Sequence, residues 1–368
     1  MLANAMITRS TLALVTFCLF TTASNIPRVA AQSSLPPMPA ADAPIIDYQN
    51  RYLPTYGKAG MVVSPEKLAG DIGLDMLKQG GNAVDAAVAT GFALAVTLPR
   101  AGNIGGGGFM VYRKSNGKTG ALDYRERAPI NSTTEMYLDE NKNIIDGLSM
   151  IGGLSVGVPG TIAGIFEAHE KFGTLTVEEI INPVIDLAKN GVIVTENQIN
   201  RINENRKYFQ LVNKSQILFD NNFQKNDTIK NPKLAATLEK IMINGKDEFY
   251  KGETAKTLVK FISENGGIIT MEDLEVYEPV WRDPIIFNYD ELKIISMSPP
   301  SSGGICINQI FKMIEPYNLK SYGHNSTDYI KLLVEAERRS FADRSHFLGD
   351  PDFVSIPTEK LTNEDYLN

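Results

Sequence analysis

Residues 105–127 read Gly105-Gly106-Gly107-Gly108-Phe109-Met110-Val111-Tyr112-Arg113-Lys114-Ser115-Asn116-Gly117-Lys118-Thr119-Gly120-Ala121-Leu122-Asp123-Tyr124-Arg125-Glu126-Arg127. Two strand-like runs flank Asn116-Gly117, and an Asn-Gly pair between such runs is a strong local hairpin signal. The four glycines can in principle cradle a phosphate on backbone amides. Their spacing is not that of a dinucleotide fingerprint, no Gly-Lys-Ser/Thr follows, and a strand rather than a helix comes next. The run therefore reads as tight backbone packing with positive φ angles.

Arg125 closes the second run inside a charged segment, Asp123, Arg125, Glu126 and Arg127. Two readings stand open on these residues alone. In one, the segment is a solvated surface run in which Arg pairs Glu, worth about 0–1 kcal/mol. In the other, Arg125 grips a substrate carboxylate, because its planar fork of donors matches that shape as lysine cannot.

Upstream, Ser64-Pro65 predicts a helix start with Ser as cap and Pro at the first helical position. Leu68, Ile72 and Met76 follow on one face, and Gly80-Gly81 ends the helix. Asn82 opens a second helix over 83–96, apolar nearly all round and hence buried, with small residues that permit close approach. Asp85, three residues after Asn82, fits a first-turn capping role better than a catalytic one. Downstream, Thr176-Val177-Glu178-Glu179 and Thr270-Met271-Glu272-Asp273 are capping boxes, and Asn190-Gly191 closes a helix. The polar, Asn-rich stretch 195–231 predicts a helical surface excursion. A strand over 292–297 runs into Ser298-Pro299-Pro300-Ser301-Ser302-Gly303-Gly304, and a long amphipathic helix with Tyr329, Leu332, Leu333, Ala336 and Phe341 follows. The serine loop is not the Gly-x-Ser-x-Gly of a hydrolase elbow, so capping by Ser302 or Gly303 is expected. A loop at a strand's C-terminal end is nonetheless where sites gather. From about Gly57 onward the pattern is that of an α/β or α+β domain.

The 368 residues suffice for one large domain or two ordinary ones. A hydrophobic share of 43%, a charged share of 21% and a net charge of -7 fit a soluble globular protein and weigh against an electrostatic nucleic-acid binder. The first residues read as a secretory signal: Arg9, an apolar run from Leu12 to Phe20, and Val29-Ala30-Ala31 before Gln32. That run is short of the roughly 20 residues a bilayer span needs, so cleavage and no membrane attachment are expected. Of the two cysteines, Cys18 leaves with the signal, and Cys306 between Ile305 and Ile307 reads as an inert packed thiol. His169, His324 and His346 stand far apart, so no metal site and no cofactor are predicted.

Several segments together resemble the γ-glutamyltransferase family of N-terminal-nucleophile hydrolases. They are Gly80-Gly81-Asn82-Ala83-Val84-Asp85-Ala86-Ala87, Asn103-Ile104 with the glycine run, Leu122-Asp123-Tyr124-Arg125-Glu126-Arg127-Ala128-Pro129, Gly157-Val158-Pro159-Gly160-Thr161, Ser296-Met297 with the serine loop, and Phe341-Ala342-Asp343-Arg344 through Leu348-Gly349-Asp350-Pro351-Asp352-Phe353-Val354. They occur in the family's order from about Gly57 to the end. The resemblance implies an α+β fold, the stacked αββα sandwich, of which this chain is the large-subunit half. It also implies a precursor that cuts itself before a threonine, which then attacks the γ-glutamyl amide of glutathione and passes the acyl group to water, an amino acid or a peptide. Arg125 matches the arginine that holds the donor's α-carboxylate. The nucleophilic threonine of the family lies beyond Asn368, on a small-subunit partner chain, so no catalytic residue is expected here and the chain alone is expected to be inactive. The implied organisation is a signal peptide over 1–31, a flexible lead-in over 32–56, and a large-subunit region over 57–368 with a mostly helical lobe at 195–280. The expected location is secreted or periplasmic. Alternatives are a non-catalytic remnant or binding module, or a relative acting on poly-γ-glutamate or acylated β-lactams.

Overall fold

The computed structural model describes residues 55–367. The predicted signal peptide and nearly all of the lead-in lie outside the described residues, as does Asn368. The chain order begins α1 (Lys67–Lys78), α2 (Ala83–Thr97), β1 (Phe109–Arg113), β2 (Thr119–Asp123), α3 (Thr161–Phe172), α4 (Val177–Asn190) and β3 (Val192–Ile193). It continues with α5 (Glu196–Val212), β4 (Thr228–Ile229), α6 (Pro232–Asn244), α7 (Lys246–Tyr250), α8 (Glu253–Glu264) and α9 (Met271–Glu275). Last come β5 (Val280–Arg282), β6 (Ile285–Tyr289), β7 (Leu292–Ser296), α10 (Gly303–Ile314), α11 (Leu319–Tyr322), α12 (Thr327–Phe347), α13 (Thr358–Leu361) and α14 (Glu364–Leu367).

The first helix starts later than Ser64-Pro65 implied. Glu66 is the residue before its first turn, and the Ser64 hydroxyl accepts the Glu66 N–H at 3.4 Å without capping the helix. A serine turn thus leads into the helix, and Pro65 lies before it. Met76 is fully buried while Leu68 at one end of the predicted face is exposed. Gly73 lets α1 and α2 touch, since a Cβ there would sit 2.2 Å from the Thr90 hydroxyl and 2.9 Å from the Ala86 carbonyl. Helix α2 is buried almost all round, as its composition required. It opens on a full capping box in which Asn82 accepts from Val84 and Asp85 while Asp85 accepts from Asn82.

The hairpin forms where Asn116-Gly117 predicted it, with Phe109 paired to Asp123 and Arg113 to Thr119. The Lys114 N–H donates to Lys118 at 2.8 Å, and Gly117 takes φ 85°, so the connection is a three-residue loop with a left-handed glycine. β2 is the central strand of a three-stranded antiparallel sheet, with β5 on its other side and Leu122 opposite Trp281. β3–β4 and β6–β7 form two further antiparallel pairs.

Helices α1 to α4 and α6 to α9 share one apolar core, including Met76, Phe92, Ile162, Ile181, Leu238, Phe249 and Leu274. Only the first part of the 195–231 excursion is helix, α5, which buries none of its residues; the rest holds a 3-10 turn at Leu218–Asp220 and strand β4. The segment directly after the serine loop is α10, not the long amphipathic helix, which begins only at Thr327. Ser302 precedes α10, yet its hydroxyl does not cap it. It accepts from Arg344 Nε at 3.1 Å, while the Ser301 hydroxyl accepts the Gly303 N–H at 3.3 Å. Cys306 is a buried free thiol on α10, as its isoleucine neighbours implied.

Candidate active site

Arg125 lies just past the end of β2, where the backbone leaves the ladder. Both polar groups of its peptide units are then taken up by side chains. The Arg125 N–H donates to Asp123 Oδ1 at 3.1 Å, and its carbonyl accepts from the Tyr277 hydroxyl at 2.8 Å. Tyr277 stacks on Tyr250 at 5.8 Å between centroids, and the Tyr250 hydroxyl donates to the Pro159 carbonyl at 2.9 Å while accepting the Ala163 N–H at 3.1 Å. Burial, and then the neighbouring Tyr250, push the Tyr277 phenol well above its ordinary range, so it stays a donor across physiological pH.

Glycines close around this strand end. The Gly106 carbonyl accepts from Gly160 at 2.8 Å and from Thr161 at 2.9 Å, which seats the first turn of α3 on the glycine run. A Cβ on Gly107 would lie 2.7 Å from the Tyr124 carbonyl and the Glu126 nitrogen, and one on Gly160 would lie 2.1 Å from that same carbonyl. Arg127 and Val158 exchange backbone hydrogen bonds of 3.2 and 2.8 Å. None of Gly105 to Gly108 takes a positive φ, so that part of the expectation is corrected. Gly107 is glycine because the Tyr124–Glu126 backbone passes within contact distance, and Gly108 because the Tyr124 ring lies against it, not because of a left-handed conformation.

The guanidinium of Arg125 is exposed and forms no hydrogen bond or ion pair among the described residues. The Arg–Glu surface pair is therefore not formed. The Glu126 carboxylate instead lies against Gly106 and Gly107, and Arg127 sits 5.4 Å over the Tyr277 ring. Behind Arg125, Asp123 Oδ2 accepts from Arg282 Nε at 2.8 Å. The other two nitrogens of Arg282 fork onto Asp352 at 3.2 and 3.1 Å. Burial pulls the Arg282 pKa down, but the bonds to Asp352 and Asp123 outweigh it and leave the pKa above its ordinary value. Arg282 also walls an open cleft of about 490 Å³ with Ser298, Pro299, Pro351 and Val354, so the serine loop and the 348–354 loop meet beside the hairpin. Tyr277, Arg282 and Asp352 were not singled out from the sequence. Only Asp123, two residues before Arg125 on one strand face, carried a local signal.

Asp85 is fully buried and acts in the scaffold. It accepts from Asn82 N at 2.7 Å, Thr174 N at 3.0 Å, Thr174 Oγ1 at 2.6 Å and Leu175 N at 3.3 Å, tying α2 to the turn after α3.

With this geometry in view, the sequence pattern of the γ-glutamyltranspeptidase family matches residues 69–368. The chain belongs to that family. The glutathione hydrolase proenzyme of Escherichia coli (strain K12) is 43% identical over 337 residues, covering 89% of this chain and 58% of that protein. The Acylase ACY 1 proenzyme of Pseudomonas sp. (strain SE83) is 35% identical, covering 88% of this chain and 59% of that protein. This chain thus spans somewhat over half the length of the curated relatives it matches. The solved γ-glutamyltranspeptidase of Helicobacter pylori is similar at a TM-score of 0.84 and 43% identity, over 86% of this chain and 92% of that chain. This member of the γ-glutamyltranspeptidase family therefore has the α+β, αββα fold class of the N-terminal-nucleophile hydrolases.

Proposed function

We propose that this chain is the large-subunit part of a precursor whose mature form cleaves the γ-glutamyl amide of glutathione, with Arg125 holding the α-carboxylate of the donor. The observation that carries the reading is the exposed Arg125 guanidinium, without a partner among the described residues, on a peptide fixed at both its N–H and its carbonyl. A clamp of this kind orients one end of the donor, so that the γ-carbonyl is presented to a nucleophile at a set distance. The nucleophile is a threonine in the small chain, in the sequence that follows Asn368 in the precursor. Its hydroxyl attacks the γ-carbonyl, with its own α-amine taking the proton, and the leaving amine departs from an acyl-enzyme. Water resolves that intermediate by hydrolysis, and an amino acid or peptide by transfer. The difference between the 58% of the Escherichia coli proenzyme and the 92% of the Helicobacter pylori chain that this sequence spans supports a two-chain organisation. With the signal peptide at 1–31, the enzyme acts in the periplasm or outside the cell.

In the complete enzyme, Arg125→Ala removes a charge-assisted fork worth about 1.5–3 kcal/mol, a tenfold or greater rise in KM for a γ-glutamyl anilide. Unchanged donor kinetics would remove Arg125 from the site. The similarity to an acylase proenzyme supports a second reading, in which another acyl donor is cleaved. Turnover of an acylated β-lactam exceeding that of the γ-glutamyl anilide would select it.

A further inference from the structure

Asp123 is a buried carboxylate two residues before Arg125 on the same chain, and it already accepts the Arg125 N–H. A carboxylate so placed is a natural internal competitor for the Arg125 guanidinium. It does not capture that guanidinium, because its second oxygen is occupied by Arg282, whose side chain is 13% exposed. Arg282 is itself held from behind by the fork onto Asp352, in the 348–354 loop. The three residues come from a strand end, the edge strand β5 and a distant loop. Their order is Asp352, Arg282, Asp123, then the Arg125 peptide.

We infer that Arg282 is a positioning residue that occupies Asp123 and thereby leaves the Arg125 guanidinium free for the donor carboxylate; this rests on the reading of Arg125 given above. The physical content is a competition. With Arg282 in place, Asp123 has one oxygen on the Arg125 N–H and the other on a guanidinium, so it has no demand left for a second cation. Without Arg282, a buried carboxylate is left short of a partner, and the cation closest to it in sequence is Arg125, two residues on. The donor then meets an arginine that is competent only in the fraction of molecules where it is not folded back. Apparent affinity falls in proportion to that fraction. The same relay gives the 348–354 loop a role in the site through Asp352.

The test uses the complete enzyme carrying this region and a γ-glutamyl anilide as donor, with parent, Arg125→Ala, Arg282→Gln, Arg282→Lys and the double variant Asp123→Asn/Arg282→Gln. Self-capture in about nine molecules of ten makes the donor KM of Arg282→Gln rise about tenfold with kcat within about twofold. Arg282→Lys keeps a cation beside Asp123, so its KM stays near the parent value. The double variant removes the competing carboxylate while the substituted side chain keeps an amide oxygen to accept the Arg125 N–H, so it restores most of the lost affinity. A purely structural role for Arg282 does not predict that rescue, and thermal melting of each variant separates the two. A rise in KM on Arg125→Ala without one on Arg282→Gln overturns the relay while sparing the clamp. So does failure of the double variant to recover. If Arg282→Gln does not fold, a KM for Arg282→Lys raised as far as that of Arg125→Ala refutes the charge argument equally well. No effect of Arg125→Ala overturns the clamp and the relay with it.

Discussion

Replacing Asp85 by Asn changes one atom of a fully buried side chain and should still be costly. Oδ2 accepts from Asn82 N and Thr174 Oγ1 at 2.7 and 2.6 Å, and Oδ1 accepts from Thr174 N and Leu175 N at 3.0 and 3.3 Å. Asparagine keeps one oxygen and puts an NH2 in place of the other; in the better flip the Thr174 hydroxyl turns to accept from that NH2 and the Asn82 N–H is left facing a donor. At about 1–3 kcal/mol for that buried donor, and with the remaining hydrogen bonds no longer charge-assisted, the loss is about 3 kcal/mol. For a protein of this size that corresponds to a fall in Tm of roughly 4 °C. Burial alone raises the Asp85 pKa, but the hydrogen bonds from Thr174, Asn82 and Leu175 outweigh it, and the folded value lies below the ordinary one. A carboxyl depressed on folding contributes stability in full above its unfolded pKa of about 3.9, and that contribution is lost as pH falls through the folded value. The Tm gap between parent and Asp85→Asn should therefore be present at neutral pH and narrow as pH falls from about 5 to below about 4. Thermal unfolding followed by circular dichroism across that range measures it. A gap under about 2 °C at neutral pH, or one that widens in acid, would refute the reasoning.

Glycine substitutions test the close backbone passage around Arg125. Gly160→Ala places a methyl 2.1 Å from the Tyr124 carbonyl and should destabilise by about 3 kcal/mol, whereas Gly105→Ala meets nothing closer than 3.6 Å and should change Tm little. Equal effects in a paired melting experiment would show that the glycine run is not packed as described. Tyr277→Phe removes the 2.8 Å bond to the Arg125 carbonyl and keeps the ring stack on Tyr250. At about 1 kcal/mol for that bond, it should raise the donor KM about fivefold and leave kcat nearly unchanged in steady-state assays, and no change in KM would count against a fixed peptide at Arg125.

What the sequence made legible was whatever is written within a few residues. The boxes Asn82/Asp85, Thr176/Glu179 and Thr270/Asp273 each close over three positions, and all three are present. The Asn116-Gly117 hairpin is local in the same way. Strand β5 left no such mark. It has three residues, Val280-Trp281-Arg282, and its partner β2 lies about 160 positions away. Strand β6 was missed as well, because Ile285-Ile286-Phe287 is one apolar run with no alternation to separate a strand from a buried turn of helix. Arg125 could be picked out by its residue type and its place at a strand end. The groups that hold it could not, since Tyr277, Arg282 and Asp352 become its neighbours only when β5 and the 348–354 loop are folded against the hairpin.

The relation between those holding groups and the exposure of Arg125 decides how strong a clamp it can be. In contact with water, a guanidinium and a carboxylate about 4 Å apart attract by about 1 kcal/mol, but by about 4 kcal/mol at the effective dielectric of a partly buried site. Arg125 stands exposed, with exposed apolar side chains at Phe109 and Val111 on the strand paired to β2 and at Ile130. Its backbone is fixed by two hydrogen bonds, so the cost of ordering the peptide is met before any ligand arrives. What is still missing for tight binding is exclusion of water, and apolar surface of this kind is what a covering chain would bury. A clamp built this way is preorganised in geometry but weak in water. On the proposed reading it gains its strength when that surface is covered, so donor affinity is predicted to rise on assembly with a small chain.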